Sequence, residues 1–76
     1  MNKARRKRIA IVLDKLRVAN EELTAIRDEE QDAYDNLPEN IQTGLRGDDM
    51  QEKIYALDNA AEGLENIIGD LRDMEN

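Results

Sequence analysis

The sequence predicts an all-α fold, an antiparallel helical hairpin with coiled-coil packing, on three observations. Apolar residues recur at alternating steps of three and four in two long runs. The only proline, Pro38, and the first glycine, Gly44, fall together between those runs. Leu, Ile, Ala, Glu and Asp dominate, and Tyr34 and Tyr55 are the only aromatics, a composition that suits helix better than strand.

The first run is Ile9, Val12, Leu16, Ala19, Leu23 and Ile26; Glu30 interrupts it, then Ala33 and Leu37 resume it. Leu13 and Tyr34 broaden the same face. With no proline or glycine before Pro38, one helix is expected over about residues 3–36. A hinge follows over about residues 37–48. Pro38 disfavours helical geometry at Leu37 and suits the first turn of a new helix, so one short helical turn is expected before Gly44, with Ile41 and Leu45 closing the end of the core. Gly47-Asp48-Asp49 then reads as a helix start, because Asp48 with Gln51, or Asp49 with Glu52, has capping-box spacing. The second run is Met50, Ile54, Leu57, Ala61, Leu64, Ile68 and Leu71, widened on one side by Ala60, Ile67 and Met74, and places a helix over about residues 49–74.

Seventy-six residues make a single domain, 1–76, that encloses little core unless a disulfide, a metal or another subunit helps. The chain has neither cysteine nor histidine, which removes disulfides, the usual zinc ligands, the thiol nucleophile and the usual general base. Paired carboxylates on a hairpin have no pocket to drive their pKa values apart, so the expectation is no enzyme and no cofactor. The apolar run Ile9–Leu13 is closed by Asp14 and Lys15, too short for a secretory core or a membrane span, and a cytoplasmic protein is expected.

More than one subunit is expected. Ile11, Val18 and Ala25 lie about opposite the first stripe, and Ala56, Gly63 and Gly69 form small-residue ground on the outer side of the second helix. A glycine inside an exposed helix costs about 1 kcal/mol relative to alanine; either the helix tolerates that cost or the close approach of another backbone accounts for it, and the second is expected. These residues, with Tyr55 off the seam, are the expected oligomer interface of a dimeric four-helix bundle or a higher ring.

Charge divides the chain sharply. Residues 1–17 carry seven basic side chains and one acidic, whereas residues 18–76 carry four and seventeen. Counted outward from the hinge, Glu75 falls near Ile11, so the basic cluster Lys3, Arg5, Arg6, Lys7 and Arg8 overhangs the second helix. That cluster reads as a solvated helix start complementing the acidic end of the second helix, as a phosphate contact for nucleic acid or nucleotide, or as a dock for an acidic protein. The acidic stretch Asp28-Glu29-Glu30-Gln31-Asp32 with Asp35 reads first as a solvated face. A cation site is disfavoured because one helix cannot wrap an ion with its own carboxylates; mimicry of a phosphate backbone is the other reading.

The segment Arg27-Asp28-Glu29-Glu30-Gln31-Asp32-Ala33-Tyr34-Asp35-Asn36-Leu37-Pro38-Glu39, followed by Ala56-Leu57-Asp58-Asn59-Ala60, resembles small acidic helical proteins of unassigned function encoded in bacteriophage and prophage genomes. The resemblance spans roughly residues 5–72 and implies a phage or mobile-element origin in a bacterial cytoplasm. Small phage proteins of this kind often block a host factor. The function expected is therefore protein interaction, as a phage-encoded inhibitor or adaptor binding a host protein such as a defence factor. A nucleic-acid or nucleotide binder, or a virion structural subunit, is the alternative.

Overall fold

A computed structural model describes residues 1–75. Its elements are α1 (Lys3–Asp35), α2 (Glu39–Gln42) and α3 (Leu45–Met74). The long helices pack side by side along a rod of 58 × 14 × 12 Å. The radius of gyration, 17.3 Å, compares with about 11 Å for a globule of this length. The surface tells the same story: 5771 Å² is exposed, against about 4,700 Å² for a compact chain of this mass.

Asn2 caps α1, its side chain accepting from Arg5 N–H at 2.8 Å. At the other end Gln42 reaches back, its side-chain amide donating to the Tyr34 carbonyl at 2.9 Å and the Asp35 carbonyl at 3.5 Å. These bonds serve carbonyls that the last turn of a helix otherwise leaves to solvent. The short turn after Pro38 is α2 itself, closed by Ile41 and Gln42 N–H groups donating to Pro38 O at 2.9 and 3.0 Å.

α3 begins at Leu45, earlier than the capping pattern suggests. Extended Gly44 is its N-cap, with no side-chain bond, and Asp48 N–H already donates to Gly44 O at 3.0 Å. Asp49 pairs with Lys53 at 2.9 Å instead of starting the helix. Gly47, read from sequence as a helix start, is buried in the first turns of α3, where an added Cβ would collide with the Gln42 carbonyl and lie 2.7 Å from Gln42 Cα. The absence of a side chain there lets α2 nest against α3. Leu45 does not close the core with half-buried Ile41; it is 88% exposed, because the early helix start turns it outward.

The seam on α3 matches expectation and extends at its start to Gly47: Gly47, Met50, Ile54, Leu57, Ala61, Leu64, Ile68 and Leu71 are all buried or half-buried. On α1 the seam is shifted at every second position. The residues turned inward are Ile9, Leu13, Leu16, Asn20, Leu23, Arg27, Glu30, Tyr34 and Leu37, whereas Val12 and Ile26 stay 45% and 42% exposed. The core is thin. Among the described residues only Leu13, Met50 and Ile54 are buried large apolar side chains, and Asn20 Oδ1 is buried in the seam without a partner.

Candidate interaction surface

In heptad lettering a to g, this seam puts Leu13, Asn20, Arg27 and Tyr34 at a, with Ile9, Leu16, Leu23, Glu30 and Leu37 at d. In an antiparallel pair the two e columns share one margin of the seam and the two g columns share the other. The margins differ in chemistry, and that difference defines the surface.

The e margin is polar. Arg17, Thr24 and Gln31 on α1 face Gln51, Asp58, Glu65 and Arg72 on α3. Two bonds cross it: Arg27 Nε donates to Asp58 Oδ1 at 2.8 Å, and Gln51 Nε2 donates to the Tyr34 hydroxyl at 2.8 Å. They are one heptad apart on each helix, in opposite directions, and fix the register. The hydrogen bond and charge of Asp58, with help from Asp28, hold the Arg27 guanidinium protonated above its ordinary range. A shallow cleft of about 380 Å³ opens here among Arg27, Gln31, Tyr34, Gln51, Ile54, Tyr55 and Asp58.

The g margin is apolar over most of its length. α1 contributes Val12, Ala19, Ile26 and Ala33; α3 contributes Ala60, Ile67 and Met74, with Lys53 toward the hinge. The register sets Val12 beside Met74, Ala19 beside Ile67 and Ile26 beside Ala60. Ala56 and Gly63 extend the ground at the neighbouring c column. A two-stranded coil needs only its a and d columns; a third apolar column on both helices is the pattern of a bundle helix covered from a second direction. Near the start of α1 this margin opens into a recess of about 310 Å³ lined by Met1, Arg5, Arg8, Ile9 and Val12.

The expected interface residues are only partly brought together. Ile11, Val18 and Ala25 are exposed along the outer f column of α1, away from both margins. Tyr55, 71% exposed, and Gly69 lie on the e side of α3, whereas Ala56 and Gly63 border the g margin. Among the described residues, none outside the surrounding helix backbone approaches Gly63 or Gly69 closely enough to meet an added Cβ within 4 Å. Reading the sequence placed Val12, Ala19, Ile26 and Ala33 inside the hairpin seam and so missed them as outer surface. No signal within α1 marks the shift: Asn20 and Arg27, each one position on, are polar, and Arg27 enters the seam beside Asp58 of α3.

Lys3, Arg5, Arg6, Lys7 and Arg8 occupy the first turns of α1, all exposed. Since Met74 at the end of α3 lies beside Val12, these turns project past α3. Arg6 donates to the Met1 carbonyl at 2.9 Å, but among the described residues none of the five pairs with Asp70, Asp73 or Glu75. Among the described residues no three carboxylates gather in a metal-binding group, and no helix is long and apolar enough to cross a membrane. Comparison with protein-family models, with curated proteins and with solved structures finds no match.

Proposed function

We propose that this chain is a non-enzymatic protein-interaction module, a homo-oligomeric helical hairpin encoded by a phage and acting in the bacterial cytoplasm as an inhibitor or adaptor of a host protein. The observation that carries the reading is a set of large apolar side chains standing out of a strongly acidic rod: Ile11, Val18 and Tyr55 are 57%, 64% and 71% exposed on faces turned away from the hairpin seam. Apolar anchors ringed by charge are what a protein partner covers, and the surrounding carboxylates steer a basic partner toward them. The resemblance to phage and prophage proteins supports the choice of a host target.

Affinity capture from bacterial lysate tests this reading when wild type is compared with Val18→Glu/Tyr55→Glu. A protein retained by wild type and lost with the double variant is the expected result. The alternative, a nucleic-acid or nucleotide binder working through the basic arm, is separated by changing Arg5, Arg6, Lys7 and Arg8 to Gln. Host-protein capture survives that change under the leading reading. Polyanion binding that collapses with a shallower salt slope, in place of protein capture, transfers the assignment to the arm.

A further inference from the structure

We infer that the apolar g margin is the docking surface for a second copy of this chain, laid across it with its hinge at the opposite end and the two-fold axis passing beside Ala19. The inference rests on the oligomeric part of the reading above and adds to it the surface, the orientation and the contacts.

Three observations on the chain choose this occupant. The first is the apolar ground. Val12, Ala19, Ile26, Ala60, Ile67 and Met74 form three rungs centred on the Ala19 and Ile67 rung, and Ala19 is also the midpoint of α1 (Lys3–Asp35). A two-fold axis there superimposes the rungs on their copies, Val12 meeting Ile26 of the second copy beside the recess at Met1 and Ile9. It also overlaps α1 with its copy along its whole length. The footprint is roughly 500–700 Å² per copy, or roughly 1,000–1,400 Å² in all, the size of a specific interface.

The second observation is the charged edge bordering that ground. The c column of α1 reads Arg8, Lys15, Glu22, Glu29, two cations followed by two anions at heptad spacing, all exposed. An edge of this kind is complementary to itself only when reversed. About the Ala19 axis, Arg8 meets Glu29 of the second copy and Lys15 meets Glu22 of the second copy. This is the self-complementarity that an isologous contact demands.

The third is the basic overhang, which finds no ion-pair partner within the described chain. Reversal about Ala19 brings Arg5 and Arg8 of one copy, on the g and c columns, over the turn that carries Glu29 and Glu30 of the other, twice by symmetry. The two charge clusters that the sequence singles out thus become the two halves of one contact. The alternative with both hinges at the same end gathers the two basic arms at one end of the assembly and the two acidic stretches toward the other, which like-charge repulsion opposes.

The test uses the full chain. Light scattering after size exclusion at micromolar concentration is expected to give a dimer, with Ala19→Glu, which sets two carboxylates against each other at the axis, giving a monomer. Orientation is read from a nitroxide on Ala4→Cys, a single thiol in a chain that has none. Labels separated by about 45 Å are expected here, against under about 20 Å with hinges together. Reversing Arg8 and Lys15 to Glu weakens the dimer about tenfold or more, and adding Glu22→Lys and Glu29→Lys on the same chain restores it. Arg8 and Glu29 stand roughly 30 Å apart within one helix, so rescue reports a contact between copies. A monomeric wild type overturns the oligomeric reading together with this inference. A dimer with a short label separation, or without rescue, overturns this arrangement alone.

Discussion

Replacing Gly47 with Ala sets two opposing effects against each other. Alanine favours a helix over glycine by about 1 kcal/mol, and Gly47 lies within α3. Its missing side chain, however, faces backbone: an added Cβ meets the Gln42 carbonyl and stands 2.7 Å from Gln42 Cα. Main-chain atoms cannot swing aside as a side-chain tip does, so α2 has to retreat. That retreat strains the Gln42 bonds to the Tyr34 and Asp35 carbonyls, about 1 kcal/mol, and adds an overpacking cost of about 1–3 kcal/mol. The net expectation is a loss of about 2 kcal/mol, about 8–16 °C in Tm for a chain of this length. Gly69→Ala is the control. Among the described residues nothing beyond its own helix backbone lies within 4 Å of its added Cβ, so the propensity gain of about 1 kcal/mol stands undiminished. Urea titrations followed by circular dichroism at 222 nm, at one fixed protein concentration, measure both variants. An unchanged m-value certifies that stability alone has moved. A Gly47→Ala protein as stable as wild type refutes the claim that glycine is needed for the α2–α3 fit.

Asn20→Leu removes the seam's buried acceptor that lacks a partner and is expected to raise stability by about 1–2 kcal/mol in the same titration; a loss shows the amide is satisfied in the folded protein. Gln42→Ala leaves the last carbonyls of α1 to solvent and is expected to cost about 0.5–1.5 kcal/mol, with amide exchange accelerating selectively around Tyr34 to Leu37. The hydrogen bond and charge of Asp49 hold the Lys53 ammonium protonated above its ordinary range. A cation whose folded pKa is raised contributes stability that is complete below its unfolded pKa and fades as pH rises through the folded value. A small decline above about pH 10 is therefore expected to vanish in Asp49→Asn, and persistence of the decline assigns it to other groups.

Both long helices were legible because spacing of three and four survives any choice of neighbour. The phase of the α1 seam was not. Ile9, Leu16 and Leu23 belong to it either way, but Val12, Ala19 and Ile26 alternate with them as regularly as Leu13, Asn20 and Arg27 do, and are the more apolar set. Where a helix carries three apolar columns, hydrophobicity cannot say which two face the nearest partner. Partner chemistry decides: Asp58 and Gln51 supply bonds to Arg27 and Tyr34, which make polar residues acceptable in the seam. The hinge was legible as a turn at Pro38, but α3 starts early because Gly47 packs against the main chain of Gln42, a fit set by the path of the α2 turn and not by the residue types that mark a helix start. The basic arm and acidic stretch were visible as charge, yet their relation depends on a register that only the folded rod supplies.

The fit between Gln42 and Gly47 also governs which helices pair. Gln42 holds α1 with its amide and underlies α3 with its main chain, so straightening the molecule into one continuous rod sacrifices both attachments at once. Trading halves with a neighbour requires that straightening, and this latch opposes it. Each molecule is therefore expected to zip upon itself through contacts close to the turn, a unimolecular event indifferent to dilution.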